Sequence, residues 1–243
     1  MVKKSESMKQ MWLGLLLTLS IFSSCTKSEI ESDNLSKNEF KVATITINSE
    51  VYSFEYLPNG RLKKYQIASV REDVYEYYND SIVCTMYNLN PRYGIVNEPI
   101  YTMIYKLNSK GLAVSCMTIH SDNSHSQVAF EYDSNGYLYK ADNEINTVTN
   151  GNLISKVTPI WSRTYEYYED VNNTNSDLFS NDNLAQTGID FLGNRGRNLI
   201  KKCIDYSIPD MPKVYEFSYT FDTKGRVIKM YYYGILTIIT YYD

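Results

Sequence analysis

The residues of this chain that could do chemistry are few and scattered. His120 and His125 flank Asp122 in the run Ile119-His-Ser-Asp-Asn-Ser-His125. Two imidazoles and a carboxylate are metal ligands by type, but zinc needs three or four convergent donors. The Ser/Asn setting reads instead as an exposed hairpin turn. Asp170, Asn172, Thr174 and Asp177 echo the spacing of a calcium loop. Asn175 stands where that loop needs its sharp-turn Gly, and Asn181 where it needs the closing Glu. No metal and no cofactor is therefore expected. Cys84, Cys116 and Cys203 each sit in an apolar, strand-like context, without a histidine placed to activate the thiol. Their odd number leaves open one disulfide or three buried thiols. The chain holds no Gly-x-Ser-x-Gly, no phosphate loop and no dinucleotide fingerprint. Its acids could supply a glycosidase pair, but no spacing singles one out. A net charge of −4 argues against nucleic acid as a partner, since such binding depends on a basic face.

What remains is recognition by aromatic side chains. Trp161, Tyr165 and Tyr167 share one strand-like segment just before a polar, turn-prone stretch, Glu169 to Asn198. A stretch of that length exceeds what a simple connection needs, and such insertions carry function or cover exposed edges. Trp and Tyr give large, rigid contact surfaces that keep a polar handle. The three are candidate ligand-stacking residues for a glycan, peptide or partner protein. The competing reading buries Trp161 and uses the insertion as a cap over an open sheet edge.

The elements that must position these residues are strands. There are 24 Tyr among 243 residues, against 11 Gly and 6 Pro, and Tyr favours half-buried pleated surfaces. Four segments align on a glycine: Phe54 to Leu62 on Gly60, Tyr105 to Ala113 on Gly111, Phe130 to Leu138 on Gly136, and Tyr219 to Val227 on Gly225. In three of them Asp or Asn opens the turn (Asn108, Asp133, Asp222), and Leu57 holds that place in the fourth. This order suits a type I turn closed by a left-handed glycine and a G1 bulge. Alternation before the turns is strict in Tyr215-Glu-Phe-Ser-Tyr-Thr-Phe221, which puts every aromatic on one face. Weaker turns at Asn79-Asp80 and Asn150-Gly151 fill the gaps. Further strands are legible at Val42–Ile47, Val74–Tyr78, Ile82–Tyr87, Arg163–Tyr168 and Gly234–Tyr242, about a dozen in all. The fold class expected is all-β, an antiparallel meander of hairpins forming a curved sheet or partial barrel over residues 40–243.

Ahead of that domain, Lys3, Lys4 and Lys9 precede an apolar run from Met11 to Phe22. A positive start and a short apolar core read as a secretory signal over residues 1–24, too short for a spanning helix. Phe22-Ser-Ser-Cys25 resembles a bacterial lipobox, which implies cleavage and lipidation at Cys25. Thr26 to Glu39, polar and charged, reads as a flexible tether over residues 25–39. Its acids, interrupted by Lys27, resemble a diluted surface-export signal of Bacteroidetes lipoproteins. Asp80-Ser81-Ile82 resembles the short O-glycosylation site of the same phylum.

The hairpin unit resembles the tyrosine-aspartate repeat of Rhs-type and teneurin-type proteins, best at Tyr132-Asp133 with Gly136 and at Phe221-Asp222 with Gly225-Arg226-Val227. Together with the lipobox, Tyr165 to Asp170 and Phe191 to Leu199, the chain resembles a Bacteroidetes lipoprotein family of unknown function with a porin-like β fold. The shared residues are turns and packing positions, so the resemblance implies a fold and no catalytic residue. Glu55, Glu131, Glu166 and Glu216 fall on the polar strand faces, where lipid contact would be costly. The expectation is a water-exposed β domain held at the outer membrane through its lipid. It would lie at the cell surface or on the periplasmic face, with a non-enzymatic binding or structural role. The alternative is a hydrolase of surface polysaccharide or peptide, which needs a concave pocket with paired carboxylates of raised pKa.

Overall fold

The structure is a computed structural model that describes residues 41–93, 96–173, 188–194 and 196–242. Cys25 and the rest of residues 1–40 lie outside the described residues, as does half of the Glu169–Asn198 insertion. Sixteen antiparallel strands follow one another around a closed barrel. They are β1 (Val42–Ile47), β2 (Glu50–Tyr56), β3 (Leu62–Ile67), β4 (Arg71–Tyr77), β5 (Ser81–Asn88), β6 (Pro99–Leu107), β7 (Ala113–His120) and β8 (His125–Tyr132), then β9 (Leu138–Ala141), β10 (Glu144–Thr149), β11 (Asn152–Val157), β12 (Ser162–Asn172), β13 (Asn198–Asp205), β14 (Lys213–Phe221), β15 (Val227–Tyr232) and β16 (Ile235–Tyr241). Each strand pairs with its neighbours in sequence, and β1 pairs with β16 through Ile45–Ile239 and Thr46–Ile238 to close the ring. The meander is as expected from the turns. The curved sheet expected from the sequence closes on itself through the β1–β16 pairing.

The four aligned glycines have φ of +78° at Gly60 and Gly111, +81° at Gly136 and +77° at Gly225. Each amide donates back to the residue opening its turn: Leu57, Asn108, Asp133 or Asp222. Beside each turn the ladder slips by one residue, at Glu55/Tyr56, Lys106/Leu107, Glu131/Tyr132 and Thr220/Phe221. Where Asp or Asn opens the turn, its side chain adds bonds a backbone cannot. Asp133 Oδ1 accepts from the amides of Asn135 and Tyr137, both at 2.9 Å. Leu57 lacks that oxygen, and Asn59 Oδ1 takes the Arg61 amide instead at 3.2 Å.

Alternation along the strands sends apolar side chains inward and polar ones outward. Phe54, Tyr65, Tyr75, Ile82, Cys84, Tyr105 and Cys116 are buried in one interior cluster with Ile45, Val227, Met230 and Ile239. The outer wall carries ion pairs around much of its circumference. Glu55 pairs with Lys64 at 3.0 Å, Glu131 with Lys140 at 2.8 Å and Glu166 with Lys202 at 2.9 Å. Between these pairs the wall also exposes apolar side chains, among them Val51, Ile145, Val157, Val214, Leu236 and Ile238, so it is mixed in polarity, while the interior is apolar where a porin's is polar.

Candidate functional site

The two ends of the barrel differ. The chain enters at Lys41 and leaves at Tyr242 on the end that carries the glycine turns. The described part of the insertion lies over this same end. Ala113 N donates to Phe191 O, Asn194 N to Gly136 O and Arg197 N to Gly151 O, each at 2.8 Å. Ile189 and Phe191 are buried in the interior cluster, and Phe191 packs on Tyr105 with ring centroids 4.8 Å apart. Residues 188–194 and 196–198 therefore cap the barrel. Gly193 makes the close approach possible: a Cβ there would lie 2.7 Å from Gly136 O and 2.8 Å from the Tyr132 ring.

In sequence Trp161 lies just before this insertion. The structure separates them. Trp161 sits half-buried in the turn before β12, at the opposite end, with the Arg163 guanidinium 5.1 Å above its ring. Arg163 Nε also donates to Asp205 at 2.9 Å. The eleven-residue β12 runs between the two places, roughly 33 Å at strand rise. Tyr165 is buried against Ile200 and Cys203, so no ligand can stack on it. Tyr167 is half-buried, and its hydroxyl donates to Leu153 O at 2.6 Å. The three candidates therefore form no common binding surface.

Other candidates resolve simply. Asp122 accepts from the Ser124 amide at 2.9 Å and hydroxyl at 2.6 Å, which holds the turn and draws its carboxyl below the usual range. Cys84, Cys116 and Cys203 are free and buried, and burial pushes the Cys84 thiol up to about 12. That is far from a thiolate at neutral pH. The calcium-like spacing has Thr174, Asn175, Asp177 and Asn181 outside the described residues. Among the described residues, no three His, Cys, Asp or Glu side chains converge as metal ligands.

The opening that the sequence did not announce lies on the outer wall, between β13 and β14. Their pairing runs from Asp205–Lys213 only as far as Lys202–Glu216. On its other side β13 slips against β12: Glu166 faces Lys202, while the next residue, Tyr167, faces Ile200. Lys201 is the extra residue of this bulge, which bends the strand. Beyond it Leu199 is fully buried in the interior cluster, while β14 stays paired to β15 out to Phe221. Two tyrosine hydroxyls replace the missing ladder bonds. Tyr168 donates to Phe217 O at 2.8 Å, and Tyr219 donates to Ile200 O at 2.7 Å.

The result is a groove of about 710 Å³. Its floor is Val214, Glu216 and Ser218 of β14, with Tyr168 and Phe217 beneath. Lys201 and Lys202 form one bank, Tyr231 and Tyr233 the other. Tyr231 is 51% exposed and Tyr233 68%. Tyr233 is held edge-on against Tyr215 at 5.3 Å, with its backbone left-handed at φ +49° beside Gly234. The hydrogen bond from Lys202 to Glu166 raises the lysine's pKa above its ordinary value. The groove thus presents two aromatic platforms, two ammonium groups, one carboxylate and a hydroxyl. A signal was present in the run Tyr231-Tyr232-Tyr233 and the doublet Lys201-Lys202, but their meeting depends on a strand that leaves its neighbour.

No family model matches the chain, and no curated protein matches it. Solved structures do. A porin-like protein from Bacteroides uniformis ATCC 8492 superposes with a TM-score of 0.63 at 17% identity, covering 82% of this chain and 96% of that one. A porin-like protein from Bacteroides vulgatus ATCC 8482 gives 0.51 at 12% identity, covering 84% and 99%. At these identities the likeness defines the fold: an all-β, porin-like barrel.

Proposed function

We propose that this protein is a lipid-anchored binding barrel of the outer membrane, exposed at the cell surface and without enzymatic activity, and that the β13–β14 groove holds its ligand. The observation that carries this reading is an open aromatic groove on the outside of a barrel whose capped end is packed. Phe54, Tyr65, Tyr75, Tyr105 and Phe191 fill the interior beneath the cap, where a conduit would need water. The ion pairs spread over the outer wall support a barrel bathed in water and held by Cys25, rather than one set into lipid, where an outward Lys or Arg costs about 2–4 kcal/mol near the midplane.

A hydrolase needs a carboxylic acid kept protonated beside a second carboxylate. Among the described residues, one carboxylate, Glu216, lines the groove. Among the described residues, the carboxyl groups with displaced pKa move the other way. Hydrogen bonds from Lys64 lower Glu55, and those from Lys140 and Tyr139 lower Glu131. Binding is therefore favoured over catalysis.

The test is a glycan and peptide array probed with the mature protein and with a Tyr231→Thr/Tyr233→Asn variant. Thr keeps the strand preference at 231, and Asn tolerates the left-handed backbone at 233. Hits bound by the parent and lost in the variant are expected. Hits that the variant retains would place the ligand site elsewhere.

A further inference from the structure

Two groups in the groove narrow the class of ligand. The first is the capped ladder. Phe217 O and Ile200 O, the backbone acceptors that an added peptide strand would seek along the split, already hold the hydroxyls of Tyr168 and Tyr219. Adding a strand depends on free main-chain groups along an edge, so an extended peptide would first have to displace both tyrosines. The second is charge. Lys202 is engaged by Glu166, whereas Lys201 is exposed and no ion pair to it occurs among the described residues. The bulge sets it beside Lys202, facing the exposed rings of Tyr231 and Tyr233 across a floor that holds Glu216 and Ser218.

Resting on the binding reading above, we propose that the groove takes a carboxylate-bearing oligosaccharide of the hexuronate type. The apolar faces of successive sugar rings lie on Tyr231 and Tyr233. Tyr231 points outward from β15, and Tyr233 stands two residues on, in the left-handed turn that follows the strand. Sugar hydroxyls donate to the Glu216 carboxylate and exchange hydrogen bonds with Ser218. The uronate carboxylate meets the Lys201 ammonium, a charge-assisted contact that a neutral sugar cannot make. A purely apolar partner would leave Glu216 and Lys201 desolvated without compensation.

The probes are tetragalacturonate and its fully methyl-esterified form, titrated calorimetrically into the mature protein and into Lys201→Gln and Tyr231→Thr. The parent is expected to bind the acid about threefold to fivefold more tightly than the ester, as an exposed ion pair implies. Lys201→Gln should erase that preference and leave the ester unchanged, while Tyr231→Thr weakens both. Raising the salt should weaken only the acid, because it screens exposed charges. Equal binding of acid and ester, or a preference that survives in Lys201→Gln, overturns the assignment of a uronate ligand. If those same titrations lose affinity in Tyr231→Thr, the groove remains the binding site. Binding of neither probe, with array peptides that compete with the Tyr168 contact, would replace the glycan by a peptide. Array hits indifferent to Tyr231 would overturn the groove itself.

Discussion

Replacing Gly193 by Ala tests whether residues 188–194 and 196–198 are a fitted cap. Gly193 has φ +92°, and its added Cβ would stand 2.7 Å from the Gly136 carbonyl oxygen and 2.8–3.0 Å from the Tyr132 ring. Neither neighbour can easily yield. Gly136 O already accepts the Asn194 amide at 2.8 Å. The Tyr132 ring is pinned by its hydroxyl, which donates to Ala113 O at 2.8 Å. A left-handed Ala costs about 1–2 kcal/mol, and an extra carbon forced into a packed site costs about 1–3 kcal/mol. Lifting the cap would instead expose Ile189 and Phe191, at about 1.5–3 kcal/mol each. Strain is the cheaper response, so the cap stays down and the variant loses about 2–5 kcal/mol. Urea unfolding followed by far-UV circular dichroism measures this. Gly225→Ala is the internal control: its φ is +77° and its Cβ would meet nothing within 4 Å, so it should lose only the backbone share, about 1–2 kcal/mol. A Gly193→Ala loss no larger than that of Gly225→Ala would refute the fitted cap.

Burial raises the pKa of Tyr65, Tyr75, Tyr77, Tyr105 and Tyr219 well above the usual phenol value. Their stabilisation is complete below roughly pH 10 and is lost as pH rises past the unfolded value. Tyrosinate absorbance should therefore rise cooperatively with unfolding, and gradual titration of these residues in a barrel still folded near pH 12 would contradict it. Tyr168→Phe removes the donor to Phe217 O at the groove floor and should cost about 1 kcal/mol in urea; an unchanged midpoint would mean that the split needs no such substitute.

Local rules made the hairpins readable. At Asp133 and Asp222 the side chain, the turn and the following glycine form one self-contained unit, and the bulge follows from the glycine. Closure was not readable, because the Ile45–Ile239 pairing joins residues at opposite ends of the chain. Trp161 misled for a related reason. Adjacency in sequence to an insertion means little when an eleven-residue strand carries the chain to the other end. The groove escaped because its cause is a one-residue slip at Lys201, where alternation alone predicts a continuous ladder.

The lipid proposed at Cys25 would be what holds a water-facing barrel at the membrane. Expression of the full chain with Cys25→Ala, followed by detergent-free fractionation, tests that claim most directly. The variant is predicted to leave the membrane fraction and run as a folded soluble species, while the parent is released only by detergent. A Cys25→Ala protein that stays with the membrane through an alkaline wash would mean that the strands themselves are embedded, and the account would fail.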